Sequence, residues 1–391
     1  MIAKREINDI NMEDKVQGEE ITINYVLFIG DPHFKCDNVE QTSAYANECI
    51  KAYRELKKKY GAQIICLLAG DILDGHGVIQ GQCLNRAIAF INELSDIGLV
   101  YVLIGNHDYF NNTQYLTDNH WMNCLKRSYN NGAVVIVDKP IIVDQIVMMP
   151  YIPTGKFQEA LDNGENTRNN RWKTARMVFA HQEIRGVKLS SLTKSVNGDV
   201  WSENWPHLVS GHIHSRQQVA NNVWYPGSVI QHSFGDVGDS TISVIKVPSS
   251  HSTSKLVYTD IHINVPTKRY IDVSSNDITN GVIDKFIYNC KPLEKIKVRI
   301  ILDDRNHKKN VLVQKFVKNL PSTVGVIFNY EKTLKKSLLD ETRSSSSSSA
   351  ETVNTVKSIG YNYVDLVRAD VYSHPNESIK NLYHTVILGN K

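Results

Sequence analysis

The chain has 391 residues, 41% of them hydrophobic and 22% charged, with a formal net charge of +3 at pH 7. That length accommodates one large domain and a smaller one, and that balance excludes a disordered or collagen-like chain. The small net charge does not by itself imply a nucleic-acid partner, and the longest apolar runs fall far short of the roughly 20 residues of a membrane helix.

Residues 1–22 read as a charged, polar extension without the apolar centre of a signal peptide. Ile23–Ile29 is predicted as a first strand. Asn38 to Tyr60 reads as a long helix, because Ala46, Cys49, Ile50, Tyr53 and Leu56 recur at helical spacing and Lys57-Lys58-Lys59 suits the negative end of its dipole. Gln63–Ala69 is a second strand. A loop carrying Gly75, Gly77 and Gly81 leads into a helix from about Cys83 to Asp96, and Leu99–Ile104 is a third strand. This order implies parallel strands with helical crossovers. A short helix follows Asp118. The chain then turns β-rich, over Ala133–Val137, Ile141–Met149, Arg176–Ala180, His207–Ser210, a hairpin around Asn221-Asn222, and Ser240–Val247. Thr154 to Lys173 and Leu189 to Trp205 are polar and read as exposed loops or short helices. The fold class is α/β (α+β): two sheets packed face to face with helices outside.

From about Pro266 the pattern becomes that of a small β-α-β unit. Ile296–Leu302 alternates charged and apolar residues, Val313, Phe316, Val317 and Leu320 form a helical stripe, and Val324–Asn329 is a further strand. Lys291 to Lys318 holds nine Lys/Arg against three acids, a local excess of +6 that reads equally as a solvated face or a phosphate-contacting surface. Arg343 precedes six serines, a linker composition. The expected organisation is an extension over 1–22, a main domain over 23–264, a cap over 265–340, a linker over 341–352 and a docking segment over 353–391. The six cysteines lack any Cys-x-x-Cys pair, which fits a reducing compartment and argues against a zinc knuckle.

Five apolar strands end at chemistry-bearing residues: Asp31-Pro32-His33, Asp71-Ile72-Leu73-Asp74, Asn106-His107-Asp108, His181, and His212-Ile213-His214. Strand ends are where open α/β folds place their ligand chemistry. Asp31, His33, Asp71, Asn106, His181, His212 and His214 offer only oxygen and imidazole nitrogen, which suits Mn, Fe or Zn. Seven ligands exceed one ion and fit two, about 3.5–4 Å apart, sharing the Asp71 carboxylate and activating a water for attack on phosphorus. His107, adjacent to Asn106, is placed to face substrate as a proton donor, with Asp108 orienting its ring. His76 and His232 lie near motif loops, where they could touch substrate.

The ordered series Asp-x-His, Gly-Asp-x-x-Asp, Gly-Asn-His-Asp, His, Gly-His-x-His resembles the calcineurin-like metallophosphoesterases over roughly residues 23 to 247. The resemblance implies a four-layer sandwich of two mixed sheets. It implies one ion on Asp31, His33, Asp71 and His214, another on Asp71, Asn106, His181 and His212, and His107 as catalytic acid. Asp74 stands where some members carry His and others Asp, and joins His107 and Asp108 as a candidate catalytic residue. Tyr225-Pro226-Gly227-Ser228 followed by Phe234-Gly235-Asp236 resembles the SbcD-type nucleases. That narrower likeness implies a manganese-dependent DNA exo- or endonuclease (Fe, Zn and Mg being alternative metals) with Tyr225, Gly227 and Ser228 at the substrate and the cap binding DNA. It also implies an SbcC-like coiled-coil ATPase partner, a homodimer within a heterotetramer, and a role in double-strand-break processing without a membrane. The expected location is cytoplasmic and nucleoid-associated, or the host cytoplasm for a bacteriophage protein. A phosphomonoesterase, or a cyclic-nucleotide or protein phosphatase on the same scaffold, is the alternative.

Overall fold

β1 (Tyr25–Ile29) sends alternate side chains into two different cores. Leu27 and Ile29 meet one apolar layer, Val26 and Phe28 the other. β2 (Ile64–Leu68) divides its residues in the same way, Ile64, Cys66 and Leu68 against Ile65 and Leu67. A strand buried on both faces reads as a continuous apolar run, and helices must then cover one side. α1 (Val39–Tyr60) and α2 (Gly81–Ser95) do so, with Ala46, Cys49, Tyr53, Ala87, Phe90, Ile91 and Leu94 packed against the sheet.

The structure is a computed structural model, and it describes residues 22–35, 39–129, 132–190, 193–234, 240–252, 254–274, 277–278, 294–302, 311–321 and 324–330. The expected N-terminal extension, Ser-rich linker and docking segment lie outside those residues.

β1 and β2 are joined by β3 (Val100–Leu103), β4 (Val134–Val137), β11 (Thr241–Lys246) and β12 (Val257–His262) in the order β12-β11-β1-β2-β3-β4. β1 to β4 run parallel, and β11 lies antiparallel along the other edge of β1. The second sheet has the order β5-β6-β7-β8-β10-β9, from β5 (Ile141–Val143), β6 (Ile146–Met148), β7 (Met177–Ala180), β8 (Leu208–Ser210), β9 (Gln217–Ala220) and β10 (Val223–Tyr225). Ile146, Met148, Phe179 and Val209 face the first sheet. Val147, Val178 and Leu208 face an outer layer built from α3 (Phe157–Asn163) and the buried Trp172 and Trp201. Helix, sheet, sheet and helix make the four layers, so the expected fold class is the one observed.

Some elements differ from expectation. Ile141–Met149 is a hairpin rather than one strand, because Asp144 and Gln145 adopt left-handed φ of 46° and 56° and turn the chain. The helix after Asp118 is a 3-10 turn, Trp121–Arg127. Thr154–Lys173 holds a short helix, one of its two expected forms, but α3 and Trp172 anchor it in the outer core rather than leaving it exposed. Buried Arg176 knits the chain ends of this region: its Nε donates to Pro248 O at 2.6 Å, Nη1 to Asp144 Oδ2 at 2.6 Å and Nη2 to Ile23 O at 3.0 Å.

A third sheet holds β13 (Lys268–Ser274), β14 (Lys295–Leu302) and β15 (Gly325–Tyr330), all parallel in that order. Val313 of α4 (Val311–Asn319) packs on it with Val273, Val298 and Ile300. Gln231 grips the start of β13 at both backbone groups of Lys268, with contacts of 3.1 and 2.6 Å.

Candidate metal centre

Asp31, Asp71, Asn106, His181 and His212 each follow the C-terminal end of a strand by one to three residues, after β1, β2, β3, β7 and β8. The two sheets present these ends side by side. Four of the seven candidate ligands hold left-handed backbone, with φ of 44° at Asp31, 45° at His33, 51° at Asp71 and 78° at His212. For residues with a Cβ that conformation costs roughly 1–2 kcal/mol each. Cross-loop hydrogen bonds impose it. His33 N donates to Asp71 O at 3.0 Å, His212 N to Asp31 Oδ1 at 2.8 Å and His107 N to Asp71 Oδ1 at 2.8 Å. Glycine is required where these loops touch. A Cβ at Gly105 would lie 2.2 Å from Asp71 N, and one at Gly227 (φ 86°) would lie 2.8 Å from His214 O.

The ligand atoms fall into two clusters. His181 Nε2 is 3.0 Å from Asn106 Oδ1 and 3.3 Å from Asp71 Oδ2, while His212 Nδ1 is 2.8 Å from the same Asn106 oxygen. On the other side, His33 Nε2 is 3.1 Å from His214 Nε2 and 3.6 Å from Asp71 Oδ2. Asp71 therefore reaches both clusters. Asp31 Oδ2 is buried with no hydrogen-bond partner. The imidazole nitrogens and the carboxylate and amide oxygens that meet at Asp71 suit divalent cations. Burial would push the His181 imidazole down, but the Asp71 and Asp31 carboxylates override it and hold it up at about 9. Burial, reinforced by His181, pushes the His212 imidazole down to about 3.

The candidate catalytic residues are brought together with one change of role. His107 Nδ1 lies 2.6 Å from the backbone carbonyl of Asp74, which leaves Nε2 as its other proton-carrying position. His76 stacks on the His107 ring at 4.5 Å, with 18° between planes, and its Nδ1 sits 3.2 Å from Tyr109 O. The Asp74 side chain contacts His33 Nδ1 at 3.2 Å, so it orients a ligand while its carbonyl orients His107. Asp108 does not touch His107, contrary to expectation. It is buried and accepts hydrogen bonds from Ile72 N at 3.1 Å, Gly105 N at 2.9 Å and Trp121 Nε1 at 3.0 Å. Burial and the neighbouring Asp71 push its carboxyl up to about 6. Asp108 clamps the Asp71 and Asn106 loops together.

Three residues expected at the substrate, Tyr225, Gly227 and Ser228, take structural roles. The Tyr225 hydroxyl is fully buried, donating to Gln182 O at 2.8 Å and accepting from Ile184 N at 3.0 Å, so it is scaffold. Gly227 and Ser228 brace the Asp31 loop: Ser228 N donates to His214 O at 2.9 Å and Ser228 Oγ reaches Asp31 O at 3.4 Å. His232, singled out only for its position near a motif loop, joins the His33–His214 group of candidate ligands, its ring 4.4 Å from that of His33 and 4.5 Å from that of His214. Its Nε2 is 3.0 Å from Asp31 O. A lone histidine in the sequence carries no signal of that placement.

Residues 25–216 match the calcineurin-like phosphoesterase family. "Putative phosphoesterase 244L" of Invertebrate iridescent virus 6 is 37% identical over 275 residues, which is 70% of this chain and 92% of that protein. The chain belongs to the calcineurin-like phosphoesterase family. "Putative phosphoesterase 078R" of Invertebrate iridescent virus 3 is 38% identical over 260 residues, 66% of this chain and 71% of that one. An uncharacterized protein, R555 of Acanthamoeba polyphaga mimivirus, is 21% identical over 325 residues, 76% of this chain but 22% of that protein. All seven candidate ligands lie inside the matched 25–216 span, whereas Gly227, Ser228, His232 and the third sheet lie beyond it. Among the described residues, no helix of this calcineurin-like phosphoesterase is long and apolar enough to cross a membrane.

The clamp has a measurable weight. Asp108→Ala strands buried N–H donors from two loops and the Trp121 indole, each worth about 1–3 kcal/mol when left unpaired. Chemical denaturation is expected to show a loss of about 3 kcal/mol. A variant as stable as wild type would mean the loops hold their shape without it.

Proposed function

We propose that this phosphoesterase is a two-metal phosphodiesterase that cleaves DNA, with manganese as the working ion. The observation that carries the hydrolytic reading is Asp71, one carboxylate within reach of both imidazole clusters. When bound there, two cations supply an activated water and counter-charge for the phosphoryl oxygens. The protein's own part follows from the geometry. Asp71 and Asp31 bring negative charge to a buried site, which offsets the cost of taking divalent cations out of water. Asn106 contributes a neutral oxygen between His181 and His212. His107, fixed through Nδ1, presents Nε2 to protonate the departing oxygen of a diester. Burial pushes the His107 imidazole down, and the nearby Asp71 opposes that shift.

Support for a polymeric substrate comes from the third sheet. Lys268 at the head of β13 donates from Nζ to His232 O at 2.9 Å, which sets that sheet beside the metal cluster. β14 adds Lys295, Lys297 and Arg299, the last paired with Asp272 at 2.5 Å. Lys315 and Lys318 lie on α4, and Lys291, Arg305, Lys308 and Lys309 lie outside the described residues. The likeness of Tyr225–Asp236 to SbcD-type nucleases extends the proposal to an SbcC-like ATPase partner in break processing, which co-purification tests.

The deciding assay sets a linear DNA duplex against a chromogenic phosphate monoester, both with manganese. Cleavage of the duplex at a rate well above that of the monoester is expected. The reverse order would assign the chain to the monoesterases of the same family.

A further inference from the structure

A cleft of about 560 Å³ opens beside the metal centre, between the Asp31 and Asp71 loops and the start of α2. Leu73, Val78, Ile79 and Cys83 form its apolar walls, and Lys35 and His76 its polar ones. Its inner edge is Asp74, whose carbonyl holds His107, and His76, whose ring lies on that of His107. Whatever fills the cleft is therefore continuous with the group that His107 serves. The volume lies within the range of small-molecule sites and far exceeds the need of a phosphate alone.

The walls specify the occupant. Val78 and Ile79 are 78% and 42% exposed, so apolar surface stands uncovered at the mouth. Lys35 Nζ, 3.3 Å from Asp74 Oδ1, is a cation on the same rim that shares its charge with the Asp74 carboxylate. Flat apolar surface joined to an anion satisfies both features, and a base stacked on apolar side chains next to its own phosphate is such a group. Gly77, at φ 57°, shapes the loop that carries Val78 and Ile79.

We propose that this cleft seats the nucleobase next to the scissile phosphate, which makes the enzyme selective for nucleotide diesters over other phosphate esters; the assignment builds on the phosphodiesterase reading above. Calorimetric titration of the manganese-loaded full chain tests it. Thymidine 5′-monophosphate is expected to bind about tenfold tighter than inorganic phosphate. Val78→Asp and Ile79→Asp, both at exposed positions, are each expected to bring the two affinities within about twofold of one another. Equal affinities in the wild type, or a preference that survives both substitutions, would overturn the assignment. A wild type that prefers the nucleotide but cleaves no diester would defeat the phosphodiesterase reading and uphold the cleft. Diester cleavage without nucleotide preference would do the opposite.

Discussion

Asp71→Ala is expected to release both ions and to lower diester turnover by about 10⁴-fold, some 5–6 kcal/mol of barrier. The expectation follows from geometry rather than from charge alone. Asp71 Oδ2 lies within reach of both imidazole clusters, at 3.6 Å from His33 Nε2 and 3.3 Å from His181 Nε2. Without it the two clusters lose their common anion, and buried imidazoles remain with less charge to attract a cation. The same substitution frees His107 N, which donates to Asp71 Oδ1 at 2.8 Å, so the loop that carries Asn106 also loosens. Elemental analysis of dialysed, manganese-soaked protein checks the result. One ion retained at full occupancy would show that the clusters bind independently, and two would remove Asp71 from the centre altogether.

His107→Ala is expected to behave differently. Turnover should fall by about 10²- to 10⁴-fold, the usual worth of a general acid, with both ions still bound. A second signature separates an acid from a ligand. Esters with a good leaving group such as nitrophenolate need little protonation, so the variant should lose much less on them than on alkyl diesters. His107 stands close enough to His33 and Asp71 to join a metal cluster, which gives the ion count its force. Loss of an ion in the variant would reassign the residue as a ligand.

The gathering of the candidate ligands was legible because each follows an apolar run that could only be a buried strand, and strand ends gather at one mouth. The layer order was legible for the same reason, since β1 and β2 are apolar at every position. The backbone of the site was not. Left-handed conformation announces itself at glycine, but Asp31, His33, Asp71 and His212 carry side chains that normally avoid it, and only hydrogen bonds between distant loops enforce it. Asp108 was misread because its partners are backbone amides of its own loop and the Asp71 loop and the Trp121 indole, which no motif displays. Tyr225 was misread because a residue beside a Pro-Gly-Ser turn can point into either layer, and here it points into the outer core. The turn at Asp144-Gln145 was missed because neither residue is a glycine or a proline.

The place of β1 inside its sheet bears on how this chain can be dissected. Its partner β11 arrives some 200 residues later in the chain, and Arg176 then ties Ile23 to Pro248. A fragment trimmed to the ligand-bearing span 25–216 would keep every donor atom for the metals. It would also leave Val26 and Phe28 without the strand beside them, and turn the middle of the sheet into a raw apolar border prone to pairing with other chains. The ligand span is thus not a self-sufficient piece: the loop geometry that gathers the metals depends on a strand that closes the sheet only after the last ligand has been made.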